Sequence, residues 1–212
     1  MSAAEGVIRF QYQLHDAPAP GTSAVTYSRL NAWRSILHRL SLVGQCPDRY
    51  DGYGFGNVSQ RSFSDSNAFL ITASQTGGKT VLSEDEWTAV QDIQLEDFCV
   101  SAVGRLPPSS EAMTHAMVYA ADRSISCVLH VHSPDIWQQT TKLQLPCTPA
   151  QVPYGTPELA GHVRELLSRH TVRPLVFTTL GHEDGVFACG DSPDSAAHAL
   201  LDVLARAVER PS

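Results

Sequence analysis

Two short runs of strand-forming residues, near Asn57–Arg61 and Ala68–Thr72, are separated by a polar turn. Strands joined so closely must run antiparallel, because a parallel pair needs a crossover of about a dozen residues or more. That hairpin restricts the chain to a mixed or mainly antiparallel sheet. Before it, Ile8, Phe10, Tyr12 and Leu14 alternate with polar residues over Val7–His15, the period of a half-buried strand. Asp16–Gly21, with two prolines, breaks the run. A helix is predicted over Tyr27–Val43, with Leu30, Trp33, Leu37 and Leu40 as its apolar stripe and Gly44 closing it. Cys46–Gly56 and Thr72–Lys79 read as loops.

Further on, Ser83–Val90 reads as a helical turn, capped by Ser83 with Glu86 three residues later. Strands are predicted at Phe98–Ala102, Cys127–His132, Leu175–Leu180 and Val186–Cys189. Helices are predicted at Ser110–Ala121, Pro134–Thr141, Pro157–His170 and Asp194–Glu209. Helices and strands mix without strict alternation. The expected fold class is α/β: a single three-layer α/β/α domain around a mixed, mainly antiparallel sheet. Residues 1–25 are expected to form an N-terminal strand and loop extension, and residues 26–212 the domain itself.

With 22 acidic against 15 basic residues the formal net charge is −7, and no Lys/Arg run occurs. Nucleic-acid binding is therefore not expected. The five cysteines include no Cys-x-x-Cys pair, which argues against a disulfide framework or a zinc ribbon. No apolar stretch follows a basic start, and no uninterrupted apolar run reaches the ~18 residues of a membrane span. A cytoplasmic protein without membrane attachment is the expectation.

The chemistry concentrates in His130-Val131-His132, at the end of a predicted strand. Two residues apart, both imidazoles share one face. Neutral imidazole is a common ligand of divalent transition metals, although two histidines can equally sit on a polar strand face. Upstream, Pro108–His115 places Glu111 at the start of a helix. Read alone, Glu111 is an acid favoured by the helix dipole. Ser109 and Ser110 read as helix caps or as anion donors at the same helix start. Asn57 reads as a donor or as a turn residue, and His182 as a ligand or a solvated loop histidine. His115, four residues after Glu111, reads as a packed helix residue or as a partner that orients the carboxylate. Arg61 or Lys79 could add charge to an anion site. Gly77-Gly78-Lys79-Thr80 is not a P-loop, because Ala73 stands where that motif needs glycine.

Six blocks then fall into one order: Gly56–Arg61, Ile71–Ser74, Pro108–Glu111, His130–Pro134, Tyr154–Leu159 and Gly181-His182. In this order the chain resembles the class II aldolase/adducin family, from about Leu30 to Val208. That family includes sugar-phosphate aldolases, an epimerase, a dehydratase and the non-catalytic adducins. The resemblance implies a divalent metal, zinc foremost and manganese, iron, cobalt or nickel as alternatives, held by His130, His132 and His182. It implies Glu111 as the acid/base, and an anion pocket from Asn57, Ser74, Ser109 and Ser110. It further implies a homotetramer with active sites near subunit interfaces. The expected activity is that of a metal-dependent, aldolase-like carbon–carbon lyase of carbohydrate metabolism. Its substrate would be a small hydroxy-carbonyl compound, a sugar phosphate among the candidates, reacting through a metal-stabilised enediolate. Epimerase, dehydratase and decarboxylase readings share that intermediate, and an adducin-like interaction module is the reading without catalysis.

Three departures accompany the resemblance. Thr72-Ala73-Ser74-Gln75 stands where relatives often have Thr-Pro-Ser-Gly or Thr-Pro-Thr-Gly. Loss of that glycine removes the easiest close approach of backbone to an anion. Gly181-His182-Glu183-Asp184-Gly185 replaces Asn-His-Gly, adding two acids beside the third histidine. No tyrosine matches the catalytic one that fuculose phosphate aldolase contributes across a subunit interface.

Overall fold

A computed structural model describes residues 6–20, 25–62 and 67–209, without the side chains of residues 25 and 26. A nine-stranded sheet forms its middle layer. In chain order the strands are β1 (Gln11–Asp16), β2 (Gly44–Gln45), β3 (Gly54–Phe55), β4 (Asn57–Arg61), β5 (Phe69–Thr72) and β6 (Trp87–Gln94). They continue with β7 (Cys99–Gly104), β8 (Cys127–His132), β9 (Cys147–Thr148), β10 (Leu175–Thr179) and β11 (Gly185–Gly190). The sheet order is β1-β7-β6-β5-β4-β8-β11-β10-β9, while β2 and β3 pair separately. Only the two outermost pairings, β1 with β7 and β10 with β9, are parallel. The predicted hairpin is β4–β5, antiparallel from Ser59↔Ile71 to Arg61↔Phe69. The tip of its turn, residues 63–66, lies outside the described residues.

Helices α1 (Val25–Arg39), α3 (Pro134–Trp137) and α5 (Pro193–Val208) cover one face, and α2 (Ala112–Ala121) and α4 (Pro157–Arg169) the other. Alternation along β8 splits its residues between two cores. Leu129 and Val131 join Leu30, Leu37 and Leu200, whereas Val128 joins Met113, Val163 and Phe187. His130 and His132 therefore project to the α2/α4 face. Register places Asn57 and Phe187 opposite His130 on its two neighbouring strands.

Several expectations need correction. Helix α1 ends at Arg39, and Leu40 is 47% exposed rather than part of the stripe. Ser41, not Gly44, takes the left-handed backbone (φ 58°), and the chain then turns inward to bury Leu42 and Val43. Ser83 and Glu86 do form the predicted cap, with the Ser83 amide donating to Glu86 Oε2 at 2.7 Å. It opens only a single 3₁₀ turn, Glu84–Glu86, and the long strand β6 follows. The first half of β6 is buried on both faces, and a bulge interrupts its register between Val90 and Asp92. Both features erase the alternation that identifies a strand. The N-terminal segment adds β1 to the sheet, with Phe10 buried just ahead of it.

Candidate metal centre and active site

The ends of β8 and β11 carry the site. His130 and His132 come from β8, and His182 from the turn between β10 and β11, where Gly185 N donates to His182 O at 3.0 Å. One ring nitrogen from each histidine lies within 4.8 Å of the other two. All three side chains are buried, at 0%, 0% and 4% exposure. Phe187 stacks on His130 (centroids 4.2 Å apart, 20° between planes) and Tyr154 on His182 (4.5 Å, 22°). Aromatic faces thus hold two of the rings from behind.

His130 shows what such a cluster is built for. Its Nδ1 lies 3.3 Å from the Val186 carbonyl, so Nδ1–H donates there and the lone pair falls on Nε2. His130 Nε2 is buried and has no hydrogen-bond partner among the described residues. Burial, and then the neighbouring His182, holds His130 well below the usual histidine range. Burial lowers His132 in the same way, with His182 and His130 adding to it. Neutral imidazoles are the form that binds metal. Three converging imidazoles fit a divalent transition ion with positions left for substrate.

Glu111 is the other buried group, at 1% exposure. It sits at the N-cap position of α2, but its side chain makes no capping bond. Instead, Oε1 lies 3.7 Å from His182 Nδ1, and Oε2 accepts a 2.6 Å hydrogen bond from Thr114 Oγ1. The carboxylate thus sits at the helix start, as the dipole favours, and also faces the histidine cluster. His115 does not orient it. His115 Nδ1 and Ser59 Oγ are 2.7 Å apart, and the same hydroxyl is 2.7 Å from Tyr119 OH.

Asn57, Ser74, Ser109 and Ser110 meet in one small cavity, together with Gly6, Gly54, Gly56 and Gln75. It adjoins the histidine cluster, since Ser110 precedes Glu111 and Asn57 pairs with His130. Neither suggested cation lines it. Arg61 Nε donates to Ile125 O at 2.9 Å, and Lys79 pairs with Glu86. Of the two acids after His182, Glu183 is exposed and Asp184 turns inward. Asp184 Oδ2 accepts from Tyr50 OH at 2.6 Å, Arg49 donates to that phenol oxygen at 2.7 Å, and the Tyr50 ring meets His132 edge-on at 4.6 Å. Both Tyr50 (φ 52°) and Asp184 (φ 60°) hold left-handed backbone, a strained state that a packed site sustains.

Thr114, Tyr50, Tyr154 and Phe187 thus serve the cluster, although no motif flagged them in these roles. Thr114 alone had a local signal, its place three residues after Glu111 on the same helix. The others reach the site through the loop and strand pairings.

Residues 48–209 match the family described as Class II Aldolase and Adducin N-terminal domain. Methylthioribulose-1-phosphate dehydratase of Stenotrophomonas maltophilia is 44% identical over 57 residues, which are 26% of this chain and 27% of the relative. The Xanthomonas oryzae enzyme of the same name is 46% identical over 57 residues, 26% of this chain and 25% of the relative. The chain therefore matches only about a quarter of the length of these curated relatives. Among solved structures, YgbL of Klebsiella pneumoniae aligns with TM-score 0.66 at 16% identity, covering 86% of each chain. An L-fuculose 1-phosphate aldolase aligns with TM-score 0.64 at 19% identity, covering 87% of this chain and 84% of its own.

Proposed function

From a chain that belongs to the class II aldolase and adducin family, we propose a metal-dependent, aldolase-like lyase of a small hydroxy-carbonyl compound. His130, His132 and His182 would hold the divalent ion, and Glu111 would be the acid/base. When bound, the ion supplies a Lewis acid for adjacent carbonyl and hydroxyl oxygens. Glu111 moves a proton at the carbon beside the carbonyl, and Thr114 fixes Oε2 so that Oε1 presents toward the histidines. Such acid/base help contributes about 100- to 10,000-fold. Asn57, Ser74, Ser109 and Ser110 receive the far end of the substrate.

One observation carries this reading. A carboxylate at 1% exposure, 3.7 Å from one of three converging histidines, is costly to bury, and acid/base chemistry beside a bound ion gives that cost a use. A non-catalytic module gains nothing from it. The second reading, elimination of water, has Glu111 remove at the start the carbon-bound proton that aldol cleavage delivers at the end, and is favoured by the names of the curated relatives.

The test is a mass-spectrometric screen of small hydroxy-carbonyl compounds with metal-loaded protein. Two carbonyl fragments report carbon–carbon cleavage, and loss of one water reports dehydration. Absence of both products and of solvent-deuterium exchange across the panel would sink the enzymatic reading.

A further inference from the structure

Building on that reading, we infer that Gln75 closes the distal pocket to phosphate, so that the substrate ends in a neutral hydroxyl-bearing group. Gln75 occupies left-handed backbone (φ 58°) and lines the pocket. Its Oε1 accepts from Gly54 N at 3.3 Å, and its Nε2 donates to Gly6 O at 3.4 Å. The amide thereby bridges the two sides of the opening. The amide lies close against Gly6, where an added Cβ would stand 2.1 Å from Gln75 Nε2.

Behind this bridge the cavity measures about 20 Å³. That is room for about one water, which needs roughly 10–15 Å³ by this measure. A phosphoryl group needs several times more. The floor is closely packed: a Cβ on Gly77 would lie 2.2 Å from the Gly44 carbonyl oxygen. A Cβ on Gly56 would lie 3.1 Å from the His130 carbonyl oxygen. The backbone is already packed to glycine distances on both sides.

The lining points the same way. It contains no lysine or arginine among the described residues. The buried guanidinium of Arg34 donates to the Thr76 carbonyl at 2.9 Å and to that of Lys79, and so is spent on the loop backbone. Asn57, 6% exposed, has an Oδ1 without a hydrogen-bond partner among the described residues. A hydroxyl both donates and accepts, so it satisfies the two ends of that amide, whereas a phosphate dianion brings acceptors only. Sugar phosphates figure in the names of the similar proteins. The departure at Gln75 falls in the pocket that the family resemblance implies for an anion.

The experiment compares glycolohydroxamate with its phosphate ester by titration calorimetry on the metal-loaded protein. Both carry the same chelating head and differ only at the far end. The wild type should bind the hydroxyl form at least as tightly as the phosphate form. Gln75→Gly, which also relieves the left-handed backbone, should gain at least tenfold for the phosphate form and change less than threefold for the other. Gln75→Asn, shorter but tolerant of the same backbone, should fall between them. A wild type that prefers the phosphate form tenfold, or a Gln75→Gly variant with an unchanged ratio, overturns the inference. Inorganic phosphate provides a readout that needs no metal. It should raise the melting temperature of Gln75→Gly and not that of the wild type, and stabilisation of the wild type overturns the inference. If neither hydroxamate binds, the metal-centre reading fails while the phosphate measurement still decides the role of Gln75.

Discussion

Glu111 Oε1 lies 3.7 Å from Nδ1 of His182, with both side chains sealed from solvent. Glu111→Gln keeps the shape of the carboxylate and loses its capacity to take a proton. Folding and metal content should be unchanged. Solvent-deuterium exchange into bound substrate should fall by at least ~100-fold. Exchange near the wild-type rate would pass the role to another base.

His130 Nε2 is buried and has no hydrogen-bond partner among the described residues. Protein purified without chelator or tag-derived metal should carry one divalent ion per chain by elemental analysis. His130→Ala should lose most of it, because two imidazoles remain of three. Full occupancy in the variant would refute the ligand assignment. The same measurement identifies the metal, with zinc expected and manganese, iron, cobalt and nickel as alternatives.

The 2.6 Å bond from Thr114 to Glu111 is short enough to be charge-assisted. Thr114→Val keeps the side-chain volume and removes the donor. Such bonds contribute about 1.5–3 kcal/mol, so kcat should fall about ten- to hundredfold with little change in KM. Thr114→Ser, which restores the hydroxyl, should recover most of the loss. An equal loss in Ser and Val variants would mean that packing, not the hydroxyl, matters.

Burial lowers the pKa of His115 from the ordinary 6.5 to about 3. Above pH 6.5 both folded and unfolded states are neutral there, and the group contributes nothing to pH dependence. As pH falls below 6.5 the unfolded chain takes a proton that the folded chain refuses, until pH approaches about 3. Stability should therefore drop on acidification through this window, by about 1.4 kcal/mol per pH unit for one such group. His130 and His132 shift in the same direction and steepen the loss in metal-free protein. Urea unfolding across the window should show a slope smaller by one proton in His115→Asn. An unchanged slope would remove His115 from the account.

The family resemblance predicts a homotetramer with sites near subunit interfaces. Light scattering at assay concentration should report that assembly, and an active monomer would contradict it.

Local signals in the chain were enough for the helices α4 and α5, for β8, β10 and β11, and for the antiparallel β4–β5 pair, because each carries its own period, cap or short connection. The shared face of His130 and His132 follows from the strand period alone. Strand β6 was not legible, since double-sided burial and a bulge remove its alternation. Nor could the sequence decide between a capping and a catalytic Glu111. Only packing α2 against the β8–β11 end of the sheet brings its carboxylate to His182. The same holds for Tyr50 with Asp184, 134 residues apart and joined by one hydrogen bond. Gln75 was visible as a missing glycine, but its reach to Gly6 and Gly54 depends on loops that meet only in the folded chain. Periodicity records which face a residue takes on its own element; which other element lies across from that face is set by long-range pairing.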